Sequence, residues 1–123
     1  MSYAERHTVT ITTDASGDAT GYTPVVTGFL SQIRYVKTDF DNGVDFTITA
    51  EATGETLWTE ITVNASATRA PRQATHGTDG AASLYAGAGT AIQDKIALAN
   101  DRVKIVVAQG GNAKVGTFHI VIG

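Results

Sequence analysis

Eight residues near the middle of the chain, VDFTITAE from Val44 to Glu51, alternate without a break. Val44, Phe46, Ile48 and Ala50 fall on one side of an extended backbone, and Asp45, Thr47, Thr49 and Glu51 on the other. Side chains of a strand point alternately to opposite faces, so a two-residue period specifies a half-buried strand and conflicts with the 3.6-residue period of a helix. The flanking stretches read the same way. Phe29, Ile33 and Tyr35 give 29–37 an apolar face opposite Gln32 and Arg34. Leu57, Ile61 and Val63 do so for 56–63, where Trp58 shares the face of Glu60. Between them, Asp41-Asn42-Gly43 and Thr53-Gly54-Glu55 carry the residues that tight connections favour. The three stretches read as an antiparallel meander, with 29–37 paired to 44–51 and one face to be covered.

Strand signals continue on both sides. Val9 and Ile11 alternate with threonines over 7–13, and 19–27 reads as an edge or bent strand because Pro24 cannot donate to a ladder. Ile92, Ile96 and Leu98 mark 92–99. The stretches 102–108 and 116–122 read as a hairpin closed around Gly110-Gly111-Asn112. Their centres are apolar on both faces, which predicts that a partner subunit buries the second face. About eight strands, no helix and no internal repeat indicate an all-β fold, an antiparallel β-sandwich or flattened barrel. Residues 1–6 read as a loose N-terminal arm and 7–123 as one β domain, the count expected for 123 residues.

The composition changes over 64–90, a long irregular segment whose only large apolar side chains are Leu84 and Tyr85. Such segments are usually functional or disordered. Ordering backbone costs about 1–2 kcal/mol per residue, which this segment has little apolar surface to offset. It is therefore predicted to be an interaction segment, irregular in the free subunit and ordered by a neighbour. Arg69 and Arg72, on either side of Pro71, are the candidate polar anchors, since guanidinium groups bind carboxylates or carbonyls through paired donors. Tyr85 is the candidate apolar contact. The alternative is two solvated loop arginines.

Charge and motif content narrow the function. Net charge is −3 and the pI is 5.4, so no basic footprint favours nucleic acid or anionic lipid. No apolar run approaches the roughly 20 residues of a membrane-spanning helix. The first residues lack a secretory signal pattern, and without one Asn64-Ala65-Ser66 reads as a chance sequon. With no cysteine there is neither a disulfide framework nor a thiolate metal site. Asp39, Asp41 and Asp45 around Asn42-Gly43 suggest a calcium loop, but Gly43 and Ala50 stand where that loop needs a ligand and its closing Glu. His7, His76 and His119 lack metal-ligand spacing, no serine lies in a GxSxG elbow, and Gly87-Ala88-Gly89-Thr90 lacks the GK[ST] of a phosphate loop. The expectation is a protein that is not an enzyme and uses no metal or cofactor. Trp58 and Tyr85 leave a sugar-stacking role open.

From Tyr22 onward the order of motifs resembles a family of small virion proteins of tailed bacteriophages. The pieces that carry the resemblance are IRYVKTDFDNGVDFTITAEATGETLWTE, NASATRAPRQATH, LANDRVKIVVAQGG and KVGTFHIVIG. The resemblance implies a minor capsid or decoration protein without catalytic residues, assembled in the cytoplasm of a bacterial host and located on the capsid surface of the virion. Its expected partners are the major capsid protein and itself, as a homo-oligomer, a trimer or dimer on the local axes of the shell. A tail or head–tail component and a carbohydrate-binding β-sandwich module are the competing readings.

Overall fold

Alternation along the sequence becomes alternation of burial. In the computed structural model, which describes residues 4–123, the stretch 44–50 places Val44, Phe46, Ile48 and Ala50 in the core and leaves the side chains between them outside. Ten strands run in order: β1 Glu5–Thr12, β2 Ala19–Tyr22, β3 Val26–Lys37, β4 Val44–Ala50 and β5 Thr56–Val63, followed by β6 Ala67–Arg69, β7 Arg72–Ala74, β8 Gln93–Asp101, β9 Val103–Ala108 and β10 Val115–Ile122. There is no helix among the described residues. The strands form a six-stranded sheet in the order β1-β10-β3-β8-β7, with β6 also on β3, and a four-stranded sheet in the order β2-β9-β4-β5. All pairings are antiparallel. The arrangement is sandwich-like and does not close into a barrel.

The core lies between the sheets and is centred on aromatic rings. Tyr35 of β3 meets Phe46 of β4 with ring centroids 4.6 Å apart, and Phe46 meets Phe118 of β10 at 4.9 Å, both edge-on. Edge-on packing sets the positive rim of one ring against the negative face of the next. Around them Leu30, Ile33, Ile48, Val103, Ile105 and Ile120 are fully buried.

Two of the expected hairpins do not form. β3 belongs to the six-stranded sheet and β4 to the four-stranded one, so 29–37 does not pair with 44–51; β3 instead pairs with β10, β6 and β8. Likewise β9 pairs with β2 and β4 while β10 pairs with β1 and β3, so 102–108 and 116–122 are not partners. Gly- and Asn-rich turn chemistry is the same for a hairpin and for a corner between sheets. The two corners lie side by side, with Asp41 N–H donating to the Gly110 carbonyl (2.9 Å) and Asp39 N–H to that of Val115 (3.0 Å). Phe40 fills the space between them and is 2% exposed. The apolar residues of β9 and β10 are also not two-faced. Val103, Ile105, Val107, Phe118, Ile120 and Ile122 all point inward, and the outward Val106, Val115 and Val121 are half-buried. The outer side of these two strands thus carries valines but no larger apolar side chain.

Bulges account for the other departures. Val44 pairs with Val63 but Phe46 with Glu60, and Thr62 has a φ of 56°. The extra residue turns Ile61 out, 72% exposed. A second slip in the same pair of strands buries Leu57 and Trp58 together. Between Val121 and Ile122 the register of β10 on β3 shifts, so Leu30 faces the core and Phe29 faces out, 51% exposed. At the N-terminus β1 begins at Glu5, within the expected arm, and pairs there with Ile122; Met1–Tyr3 of that arm lie outside the described residues.

The segment 64–90 is more regular than expected. β6 and β7 add short strands to the six-stranded sheet, and 75–92 folds back on itself. In that fold Thr75 N–H donates to Ile92 O, Ile92 N–H to Ser83 O, and Ser83 N–H to Thr75 O, at 2.9, 2.9 and 2.8 Å. Three passes of chain thus satisfy one another in a triangle. No residue from 64 to 95 is buried, so this stretch stands on backbone hydrogen bonds and not on a core of its own.

Candidate functional site: the outer face of the six-stranded sheet

The register of β1, β10 and β3 fixes which side chains meet on the outer face. Val9, Ile11, Phe118, Ile120, Ile33 and Tyr35 take the inner positions, so Arg6, Thr8, His119, Val121, Gln32, Arg34 and Val36 take the outer ones. Arg6, Val121 and Gln32 make one cross-strand row, and Thr8, His119, Arg34 and Thr68 the next. The Arg34 guanidinium donates to Thr68 Oγ1 (2.9 Å), and the Thr8 hydroxyl lies 3.2 Å from His119 Nδ1. Arg6, Arg34, His119 and Gln32 rim a shallow depression of about 270 Å³ whose apolar floor is Val36 and Val121.

The first row continues past β3. Lys95 of β8 reaches Ser31 Oγ (3.2 Å) and the Gly123 carbonyl (3.0 Å), and its cross-strand neighbour on β7 is Arg72. Arg72 donates to the carbonyls of Ser31 (3.1 Å) and Pro71 (2.8 Å). At about 4.8 Å per strand, the row from Arg6 to Arg72 spans roughly 19 Å. None of Arg6, Arg34, Arg72 and Lys95 is paired with an Asp or Glu side chain among the described residues; Lys95 bonds a backbone oxygen of Gly123, the last residue of the sequence. Within these strands no carboxylate shares the face: Glu5 has the parity of Val9 and Ile11, and Asp94 that of Ile96. A protein of net charge −3 therefore carries one sheet face whose charged side chains are all positive.

The residues singled out in the sequence fall in three places. Arg72 contributes to the cationic row. Arg69 lies across the sandwich edge, where Nε and Nη2 donate to the two Glu60 oxygens at 3.0 Å each, with its guanidinium 5.7 Å from the Trp58 ring centroid. Trp58 Nε1 donates to the same carboxylate (3.1 Å), and the Arg69 hydrogen bond holds the Glu60 carboxyl below its ordinary range. Trp58 is 6% exposed, so it offers no stacking platform. Tyr85, 74% exposed, stands with Leu84 on the 75–92 fold, apart from either arginine's partners.

The acidic turn has a structural use. Asp45 accepts from Thr62 N–H (3.0 Å) and Gln109 Nε2 (3.2 Å), which ties the β5 bulge to the far corner. At the opposite end of the sandwich Arg102 is bonded to Glu51 (2.8 Å) and covers the Tyr22 ring at 3.9 Å.

Sequence reasoning missed the cationic face because its members are distant in the chain and the net charge has the opposite sign. The available signal was parity: Arg6 and Arg34 each stand opposite the apolar side of their own strand. No protein-family model matches the chain, and no curated protein is significantly similar to it.

Proposed function

We propose that this chain is a structural component of a tailed-phage virion, a decoration protein that binds the major capsid protein as a homo-oligomer and stabilises the assembled shell. The observation that carries the reading is the stretch 64–95, in which no residue is buried although the backbone is held in β pairing throughout much of its length. A segment that is ordered but unburied presents a fixed surface, and fixed surface lowers the entropic cost of docking. The resemblance of four sequence motifs to small phage virion proteins supplies the shell as the partner. A cationic sheet face on an acidic protein adds a directional, charge-selective surface to the same molecule. Binding only the assembled shell raises its stability by mass action, with no chemistry required. Particles with and without the protein test the proposal. The expected result is copurification with shells and DNA release at a lower temperature when the protein is missing. Equal release temperatures and no copurification would reject it.

A further inference from the structure

We infer that the outer face of the six-stranded sheet docks an acidic polypeptide segment lying across the strands, from Arg6 over Arg34 to Lys95 and Arg72. The identity of the segment's owner, the capsid shell, rests on the function proposed above; the face and its chemistry do not.

Three observations converge. The first is spacing. Along the cross-strand direction Arg6, Arg34, Lys95 and Arg72 fall at about 0, 10, 14 and 19 Å. An extended polypeptide places same-side side chains about 6.8 Å apart, so four alternate carboxylates span about the length of the row, and the long cationic side chains, with Arg34 one row to the side, take up the difference in spacing. The second is preorganisation. Arg34 is held by Thr68 Oγ1 and Arg72 by the carbonyls of Ser31 and Pro71, all neutral oxygens. Those bonds fix the cations while leaving their charge uncompensated, which favours an incoming anion. The third is the floor. Val36, Val121 and the half-exposed Phe29 with Ala97 beyond them are apolar, and Gln32, Thr8 and Thr117 add hydrogen-bonding groups. A chain that alternates acidic and apolar residues matches both components. Single-stranded nucleic acid is bound through rows of aromatic rings on which bases stack, and this face has one aromatic, Phe29, at its margin.

Fluorescence anisotropy with a labelled peptide of alternating Glu and Ala, at low and at physiological salt, tests the face directly. Comparators are an oligothymidylate of matching charge and a sulfated oligosaccharide. The peptide is expected to bind with an affinity that falls as salt rises. The double variant R6E/R34E is expected to lose about tenfold or more, R6K/R34K to lose less, and K104E on the opposite sheet to bind as the parent does. R6E/R34E binding as the parent does, or either comparator binding as tightly as the peptide, would overturn the inference. Co-sedimentation with shells separates the two proposals. Shells that retain R6E/R34E as well as the parent overturn the docking face and leave the capsid role standing. Parent protein that ignores shells but binds the peptide in the expected pattern rejects the capsid role and leaves the face standing.

Discussion

Arg69 and Glu60 join the two sheets: a guanidinium on β6 and a carboxylate on β5 meet side-on through two 3.0 Å hydrogen bonds. Each layer of the sandwich is thereby fastened at an edge, beside the buried Trp58 ring. Both side chains are partly exposed, so the pair is worth about 0.5–1 kcal/mol and not the several kcal/mol of a buried pair. Arg69→Ala should lower the unfolding free energy by that amount, and Arg69→Lys should recover only part of it, because an ammonium cannot reproduce the paired geometry. The Glu60 carboxyl is held below its ordinary value of 4.5, first by the Arg69 hydrogen bond. Its contribution is full above pH 4.5 and disappears as pH falls through the lowered value. Urea titrations of the parent and Glu60→Gln should therefore converge toward acid; a difference that stays constant down to pH 3 would contradict the assignment.

Tyr35 is fully buried among Phe40, Phe46 and Phe118, and its hydroxyl has no hydrogen-bond partner among the described residues. An unpaired buried hydroxyl costs about 1–3 kcal/mol. Tyr35→Phe keeps the ring and removes the cost, so it should raise the urea midpoint. Burial pushes the phenol up to about 12 from 10.0. The folded state then holds a proton that the unfolded state has released, so this group makes stability fall as pH rises from 10 toward 12. Tyr35→Phe should lack that component of the alkaline decline. A variant less stable than the parent at neutral pH would show that the hydroxyl has a partner.

Gly116 sits against the Phe40 ring, where an added Cβ would lie 2.3 Å from a ring carbon. Phe40 is buried between the two corners and cannot step aside without opening them. Gly116→Ala should cost about 2–3 kcal/mol by overpacking. Gly43 has a φ of 89° with nothing within 4 Å, so Gly43→Ala should cost about 1 kcal/mol through backbone strain alone. Equal losses would mean that the Phe40 contact is not what constrains position 116.

The 75–92 fold contributes nothing buried to the sandwich. It contains no Lys or Arg, so trypsin cannot report on it, whereas chymotrypsin should find Leu84 and Tyr85, which are 41% and 74% exposed. The nicked protein should keep its far-ultraviolet dichroism and melt within a few degrees of the intact one. Cooperative unfolding on a single cut would show that the fold depends on this segment.

The strands were legible because inward and outward side chains differ in polarity, as β4 and β10 illustrate. What failed was the bookkeeping of single residues. Phe29 and Ile61 keep the parity of an apolar face in the sequence yet face solvent, because one extra residue in each strand reverses the side that follows. Leu57 and Trp58 are adjacent and both buried for the same reason. Partnering was also hidden: Asp41-Asn42-Gly43 and Gly110-Gly111-Asn112 turn the chain in either geometry, and in the fold both are corners, with Phe40 packed against Gly116 between them. Of the candidate interaction residues, Arg72 could be placed only once β7 was known to lie beside β8. Arg69 forms a paired contact of the expected geometry with Glu60, nine residues away in the same chain.

The position of β10 between β1 and β3 has a consequence for synthesis on the ribosome. β1, with Val9 and Ile11 on its apolar side, has no lateral neighbour in its sheet except a strand made more than a hundred residues later. β3 likewise waits for β10 on one edge and β8 on the other, and the four-stranded sheet waits for β9 to bridge β2 and β4. Only β4–β5 and the short β3–β6 pairing can form early, and both layers stay incomplete until β8, β9 and β10 have been made. Late closure of this kind makes folding slow relative to a hairpin-by-hairpin protein. It also leaves strand edges unpaired during translation, and unpaired edges are where aggregation begins.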